Sequence, residues 1–171
     1  MPVGTRLGAA VDDAGGPVEP PQAVLVGGYA GRWLPPSPDL PLSHAGLRSA
    51  AGTLGAGLVL LLPTAACGLE VTARVVRHLA GQGARQCGPC LNGLPALADA
   101  FGDLAAGRPP AGTLDRLERW CGLVDGRGAC AHPDGVAGLV RSALVVLADD
   151  VRTHLGGPCG RDGRLLDGVP A

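Results

Sequence analysis

The sequence predicts an α+β protein, with a small mixed unit at residues 1–63, a four-helix bundle at residues 64–156 and a disordered tail at residues 157–171. Short apolar runs bounded by Gly and Pro fill the first third of the chain, and such runs are typical of buried strands. After Pro63 the apolar residues recur at helical spacing in four successive segments. The 29 glycines and 16 prolines are interleaved with Leu and Val, so they indicate turns between short elements.

The first unit is predicted to contain one short helix and two buried strands. The helix covers Leu7 to Asp13 and stops before a glycine pair. The apolar run Ala23 to Val26 ends at another glycine pair, and the run Gly57 to Leu62 ends at a proline. Runs of this length, closed by turn residues, favour strands over helices.

The second unit is predicted to contain four helices with short connections. In each of them apolar residues recur every three or four positions, which gives one face for burial. The predicted helices run from Thr64 to about Leu79, from Leu94 to Ala106, from Thr113 to Val124 and from Pro133 to about Leu155. Helices joined by short loops pack as antiparallel neighbours, so they should form a bundle. Beyond Gly156 the chain is rich in Gly, Arg and Asp, which predicts the disordered tail.

Composition excludes several classes of function. The net charge is −1, all 14 basic residues are arginine, and no basic stripe indicates nucleic-acid binding. The densest apolar run, Leu58 to Leu62, is far shorter than the roughly 20 apolar residues of a membrane helix. The N-terminus has no apolar run of the signal-peptide type. We therefore expect a cytoplasmic protein without a direct membrane span, whose six cysteines serve metal or redox chemistry rather than disulfides.

The segment Cys87-Gly88-Pro89-Cys90 is the sharpest chemical feature of the chain. Two thiols at this spacing in a loop can turn towards one metal centre, and thiolate is a preferred ligand of iron–sulfur clusters and of zinc. Cys130 lies in a second glycine-bounded loop, between the third and fourth predicted helices. In an antiparallel bundle the loops before the second and fourth helices lie at the same end. This topology can bring Cys130 to Cys87 and Cys90.

Two other interpretations of the loop remain open at this point. Dithiol oxidoreductases of the thioredoxin type carry the same CGPC string, although they place it at the start of a helix that follows a strand. The two thiols can also be ordinary loop residues. Cys67 and Cys121 lie on predicted helices and are expected to be small core residues. His154 is isolated in the sequence and is expected to serve packing or the surface.

Longer strings around these cysteines resemble a known family. The run GQGARQCGPCLNGLPALADAF is similar to the cluster loop of the NADH-binding flavoprotein subunit of respiratory complex I and of its hydrogenase and formate dehydrogenase relatives. The run TLDRLERWCGLVDGRGACAHPDGVAGLVRSAL resembles the return stretch of that family, with Cys130 in the place of its fourth cysteine ligand. Upstream, AVLVGGYAGRWLP and AGLRSAAGTLGAGLVLLLP resemble its soluble-ligand-binding β-grasp domain. The resemblance covers about residues 20–155 and implies a β-grasp-like N-terminal unit.

The resemblance implies an iron–sulfur cluster held by Cys87, Cys90 and Cys130. The family carries three cysteines in its first loop as C-x-x-C-x-x-C, and Ala84 stands where the first of them is expected. The chain would then hold a four-iron (4Fe-4S) cluster with a substitute fourth ligand, for which His132 is the best candidate, or a three-iron (3Fe-4S) cluster. A third outcome is a degenerate loop that holds zinc or serves structure alone.

The function implied by the resemblance is electron transfer beside a redox partner, which would be a flavoprotein, a ferredoxin or a membrane oxidoreductase subunit. The family binds flavin and NADH in a preceding domain. No G-x-G-x-x-G spacing that would mark a dinucleotide site occurs in the sequence, so we expect neither flavin nor NAD on this chain. The chain would be at most a component of an oxidoreductase complex. The alternatives are a non-redox scaffold or ligand-binding protein with a degenerate cluster site, and the CGPC dithiol oxidoreductase.

Overall fold

A three-stranded sheet organises the first part of the chain in the computed structural model, which describes residues 2–163 and residue 165. The elements of this unit, which spans Met1–Thr64, are α1 (Leu7–Asp13), β1 (Pro21–Val26), β2 (Arg32–Leu34), α2 (His44–Ser49) and β3 (Val59–Pro63). The strand order is β2-β1-β3, and β1 pairs antiparallel with both neighbours. The sheet therefore builds this unit around its central strand.

The central strand β1 is buried over four consecutive residues. Val24 and Val26 are each 1% exposed and join one apolar cluster with Leu7 of α1 and Leu47 of α2. Leu25 points to the opposite face of the strand, because side chains alternate, and it is also fully buried. Burial on both faces explains why this strand has a continuous apolar run instead of an alternating one.

The second unit, Ala65–Ala171, is helical. Its elements are α3 (Gly68–Gly81), a π-helical turn (Pro89–Gly93), α4 (Leu94–Ala105), α5 (Thr113–Val124), α6 (His132–Val146) and α7 (Ala148–Gly156). Helix α3 packs against α4 and α6, and α5 packs against α4 and α6. Leu97, Phe101, Leu117 and Val140 are fully buried in the core of these helices. Within the described residues, no helix is long and apolar enough to cross a membrane.

The predicted α+β class is confirmed, but the predicted four-helix bundle is not. The last predicted helix is two helices, because Leu147 has φ −101° and ψ 33° and leaves the helical conformation between α6 and α7. A tertiary contact accompanies the break: Oδ2 of Asp150, in α7, accepts a hydrogen bond of 3.1 Å from the N–H of Gly68 at the start of α3. Neither Pro nor Gly stands at the break, so the apolar pattern runs through it.

The segment that follows α7 is packed, although the sequence predicted a disordered tail from residue 157. The N–H of Cys67 donates to the carbonyl of Asp162 at 2.8 Å, and Nη1 of Arg74 donates to the carbonyl of Gly163 at 2.7 Å. A Cβ at Gly163 would lie 2.8 Å from the Cβ of Glu70, so the backbone approaches α3 closely. Residues 157–163 thus make backbone contacts with α3, within the segment for which the sequence predicted disorder. Residues 164 and 166–171 of the predicted tail lie outside the described residues.

Candidate metal centre

The three predicted cluster cysteines lie on two loops that meet beyond the C-terminal end of α3. Cys87 and Cys90 flank the start of the π-helical turn, and Cys130 lies just before α6. The backbone N–H of Ala129, which adjoins Cys130, donates a hydrogen bond to the Cys87 sulfur, and the proximity of Cys130 contributes to the raised pKa of Cys90. The structure thus brings the two loops together at one end of the helices.

The π-helical turn holds the first loop in place against α5. The N–H of Leu91 donates to the carbonyl of Cys87 at 3.0 Å, which closes the turn around the cysteine pair. At the end of the turn, a Cβ on Gly93 would lie 2.2 Å from Cγ1 of Val124, a buried residue of α5. Only a glycine at this position lets the turn approach α5 so closely. The residue therefore positions both thiols through packing rather than through any bond to them.

Replacing Gly93 by alanine is expected to destabilise the helical unit by about 1–3 kcal/mol, the usual cost of overpacking a core. Val124 cannot swing away freely, because a β-branched side chain in a helix strongly prefers one rotamer. Thermal unfolding of Gly93→Ala measures the cost, and Gly81→Ala is the matched control because a Cβ at Gly81 meets no atom within 4 Å. The double variant Gly93→Ala/Val124→Ala should cost less than the sum of its single variants. If the losses in the free energy of unfolding of the two single variants simply add in the double variant, the packing argument is contradicted.

The two thiols of the first loop differ in acidity. Hydrogen bonds from the backbone N–H groups of Ala129 and Cys90, together with one from the Cys90 thiol, outweigh the opposing effect of burial and lower the pKa of Cys87. Burial raises the pKa of Cys90, and the neighbouring Cys87 adds to this shift. Cys90 is 4% exposed, and a Cβ at Gly83 would lie only 3.4 Å from its sulfur. Cys87 is therefore the accessible, more acidic thiol, and Cys90 is the buried one.

The second loop is a tight turn that presents Cys130 at the surface. A Cβ on Gly128 would lie 2.7 Å from the carbonyl oxygen of Cys130, so the turn needs glycine there. The N–H of Gly126 donates to Oδ1 of Asp134, in the first turn of α6, at 2.9 Å. This bond ties the loop to the helix that follows. Cys130 itself is exposed.

The candidates for a fourth ligand are placed differently. Nε2 of His132 donates to the carbonyl of Leu79, in the last turn of α3, at 2.9 Å. Since a carbonyl only accepts, Nε2 carries the proton, and Nδ1 is the nitrogen left for a metal. Ala84 is exposed on the loop between α3 and the π-helical turn, and it has no side-chain donor atom. The structure therefore gathers three thiols, with His132 held at the adjacent end of α3.

The remaining thiols divide into a core residue and a polar cluster. Cys121 is fully buried, its thiol donates to the carbonyl of Ala137 at 3.7 Å, and burial raises its pKa to about 12. Cys67 is also fully buried, and burial raises its pKa to about 12, but its sulfur lies 3.4 Å from Nε2 of His154. Cys159 lies beside this pair. No spacing motif in the sequence indicates this cluster, because Cys67 lies 87 positions before His154.

The distances between ligand atoms differ between the two groups of thiols. Among the described residues, Cys67, His154 and Cys159 form the one set of three whose ligand atoms all lie within 4.8 Å of one another. Cys87, Cys90 and Cys130 therefore do not converge as tightly as ligands of a single ion. Three soft sulfur donors at wider spacing suit a cluster of several irons. The fold and this arrangement define a class: a helical domain that carries three thiols on two neighbouring loops at one end of its helices.

Comparison with known proteins places the helical unit in a family of that class. Residues 70–154 match the family model described as the NADH-ubiquinone oxidoreductase-F iron-sulfur binding region. The F-type component of the NADH-quinone oxidoreductase of Streptomyces coelicolor is 26% identical over 119 residues, which are 70% of this chain and 26% of that protein. The helical unit thus belongs to the family of NADH-ubiquinone oxidoreductase-F iron–sulfur binding regions, as the resemblance of its cysteine loops predicted.

Solved structures share the fold over most of the chain. The NAD+-reducing nickel–iron hydrogenase superposes with a TM-score of 0.77 in its air-oxidized state and 0.78 in its H2-reduced state, each at 23% identity. The aligned part is 91% of this chain but only 27% and 26% of the hydrogenase chains. The chain therefore spans about a quarter of the length of the relatives that it matches.

Proposed function

We propose that this chain binds an iron–sulfur cluster through Cys87, Cys90 and Cys130 and exchanges electrons with a partner protein. The convergence of these three thiols from two loops, inside the segment that matches an iron–sulfur binding family, is the observation that carries the proposal. A bound cluster supplies one-electron chemistry. We propose the four-iron form with His132 or water at the fourth iron, and the three-iron form as its alternative.

The three thiols have different tasks in this proposal. Cys90 anchors the centre from inside the protein, because it is buried behind Gly83. The Cys87 thiolate is stabilised by backbone N–H groups, and hydrogen bonds of this kind to sulfur also set the potential of a cluster. Cys130 is exposed, so it marks the edge through which electrons would leave. The cluster would thus have a buried ligand on its inner side and an exposed ligand on its outer side.

The open edge suggests what kind of protein docks there. Arg85 and Arg127 are exposed on the two loops, and Leu91 is 51% exposed beside Cys90. Exposed cationic side chains on both loops favour an acidic partner surface. We propose a flavoprotein, a ferredoxin or a membrane oxidoreductase subunit with such a surface, in the reducing cytoplasm where free thiols persist. The chain would then act as a component of an oxidoreductase complex.

Anaerobic reconstitution of the full chain with ferrous iron and sulfide tests the proposal. The expected result is a brown protein with three to four irons per chain, in keeping with the three-iron and four-iron forms. Electron paramagnetic resonance before and after reduction separates the two forms. The same sample tests the expectation that the chain holds no flavin. A folded protein that stays colourless and iron-free would contradict the cluster and favour the scaffold or ligand-binding alternative.

The acidity difference within the CGPC loop supports dithiol oxidoreductase chemistry as the second candidate. A thiol with a lowered pKa beside a buried thiol with a raised pKa is the arrangement that such enzymes use for disulfide exchange. At pH 7 the thiolate fraction grows as the pKa falls, so metal-free Cys87 should be alkylated faster than Cys90 and Cys121. Mass spectrometry after timed iodoacetamide labelling measures the order. Equal rates would contradict the acidity difference.

Insulin reduction then separates the dithiol candidate from the cluster. A dithiol enzyme should precipitate reduced insulin without iron, and Cys87→Ser should abolish this activity. A cluster protein should show bound iron that protects Cys87, Cys90 and Cys130 together from iodoacetamide. Iron-independent insulin reduction by the parent chain would reverse the ranking of the two candidates.

We propose that the first unit is β-grasp-like and offers a surface to a small ligand or a partner. Its antiparallel sheet packs against α1 and α2, as the apolar cluster of Val24, Leu7 and Leu47 shows. A groove in the same unit is lined by the apolar side chains of Leu7, Val11, Val24 and Leu61. This groove is the feature that supports the ligand-binding alternative.

A further inference from the structure

A second group of metal-binding side chains lies at the opposite end of α3 from the cysteine loops. Cys67 is the N-cap of α3, His154 lies in the last turn of α7, and Cys159 follows that helix. Their ligand atoms all lie within 4.8 Å of one another. Cys67 and His154 are fully buried, and Cys159 is half-buried. Two sulfurs and one imidazole thus meet where water has little access.

The His154 ring is held in the form that binds a metal. Its Nδ1 lies 3.2 Å from the carbonyl of Leu104, and since a carbonyl only accepts, Nδ1 carries the proton. Nε2 is then unprotonated and directs its lone pair towards the Cys67 sulfur, 3.4 Å away. Histidine ligands of metals usually donate their other N–H to a carbonyl or carboxylate in this way. The orientation of the ring is therefore set before any ion arrives.

The size of the group fits a single ion. With Zn–S near 2.3 Å and Zn–N near 2.0 Å, a tetrahedral centre separates sulfur from nitrogen by about 3.5 Å and sulfur from sulfur by about 3.8 Å. The 3.4 Å between the Cys67 sulfur and Nε2 of His154 is close to the first value. The 4.8 Å limit on all three separations leaves only a small contraction to make. A cluster of several irons would need more room than these side chains leave.

The surroundings hold the ligands and balance charge. The N–H of Glu70 donates to the Cys67 sulfur at 3.4 Å, at the positive end of the α3 dipole, which offsets part of the burial that raises the pKa of this thiol. Arg161 forms an ion pair with Asp150, and its Nη1 also donates to the carbonyl of Ala66 at 3.2 Å. A divalent ion with two thiolates would be neutral overall, beside an ion pair that is itself neutral. The buried site would therefore carry no uncompensated charge.

We propose that Cys67, His154 and Cys159 bind one zinc ion, with water in the fourth tetrahedral position. Two thiol protons are released to solvent when the ion binds, and the imidazole releases none because Nε2 is already unprotonated. The ion would fasten residues 157–163 to α3 and α7, which the bond between the N–H of Cys67 and the carbonyl of Asp162 already brings together. The role of the ion would be structural because it would tie one segment of the chain to two helices, and zinc, being redox-inert, would take no part in electron transfer.

Metal titration of the full chain tests the site apart from the cysteine loops. The background is a Cys87→Ser/Cys90→Ser/Cys130→Ser variant, in which the loop thiols cannot respond. Added Co2+ should give the absorption bands of a tetrahedral cobalt–thiolate centre at one ion per chain, and Zn2+ should displace it. Hydrogen exchange at the Cys67 amide should slow when zinc is added. A reduced protein that binds no Co2+ or Zn2+ would overturn the proposal, whatever the loops do with iron.

Two further variants on that background keep the test falsifiable. Cys159→Ser alters a half-buried residue outside the helices, so it should fold and lose affinity for Zn2+ by at least about tenfold. Cys121→Ala removes a fully buried thiol from the core, away from the proposed ligands, and should keep full affinity. Unchanged affinity in Cys159→Ser would overturn the ligand set. A Cys67–Cys159 disulfide in freshly purified protein, seen as a mass lower by two hydrogens together with no zinc after reduction, would also overturn it.

Discussion

Replacing Cys90 by serine is expected to remove iron from the anaerobically reconstituted chain, lowering iron content by roughly tenfold or more. Cys90 is the buried thiol of its loop. Among the described residues, no other thiol lies behind Gly83, where it could take the place of Cys90. Serine has nearly the same shape, so it keeps the packing but replaces a soft thiolate with a hydroxyl that binds iron poorly. Iron per chain and visible absorption should fall together.

Cys121→Ser is the matched control for that experiment. Cys121 is also buried in the helical unit, but its thiol contacts the carbonyl of Ala137 in α6 rather than the cysteine loops. Serine at this position can still donate to that carbonyl, so iron content should be unchanged. If Cys90→Ser keeps its iron while circular dichroism shows native helix content, Cys90 is not a ligand and the proposed centre is wrong.

Ala84→Cys is expected to slow the loss of the cluster in air several-fold. The change restores the C-x-x-C-x-x-C spacing of the family that the helical unit belongs to. Ala84 adjoins Gly83, where a Cβ would lie 3.4 Å from the Cys90 sulfur, so a thiol on this stretch starts close to the centre. A fourth thiolate would replace a weaker ligand at the last iron. Paramagnetic resonance should then show only the four-iron form.

Ala111→Cys controls for the effect of an added surface thiol. Ala111 is exposed in the connection between α4 and α5, and α4 runs from the cysteine loop to this connection. The length of α4 thus separates the new thiol from the centre, and the decay of the cluster in air should match the parent. If Ala84→Cys also matches the parent, either Ala84 does not face the cluster or a natural fourth ligand is already present, and loss of iron in His132→Ala would identify that ligand.

The sequence predicted the meeting of the cysteine loops because that meeting follows from local rules. Helical spacing placed the helices, and antiparallel connections placed the loops before α4 and α6 at the same end. The glycines that shape these loops are also readable as turn residues. What the sequence could not show is how closely Gly93 approaches Val124, since that distance depends on the packing of α5.

The break at Leu147 and the packed segment after α7 were not predictable from local rules. No Pro or Gly stands at Leu147, and the polar composition after Gly156 is the same as that of a disordered tail. Both features depend on long-range bonds, such as the one from Gly68 to Asp150 across 82 positions. His154 and Cys67 are separated by 87 positions, so no spacing motif could have joined them.

Helix α3 keeps its two thiol sites apart. Its N-terminus is capped by Cys67, and its C-terminus borders the loop of Cys87 and Cys90. Fourteen residues of α-helix span about 21 Å, a distance at which the effects of substitutions usually add. Helix α3 would therefore separate the proposed zinc site at one end from the proposed iron–sulfur cluster at the other. Oxidative damage that destroys the exposed cluster would leave the proposed zinc site and the helices intact, so the cysteine loops could bind a new cluster.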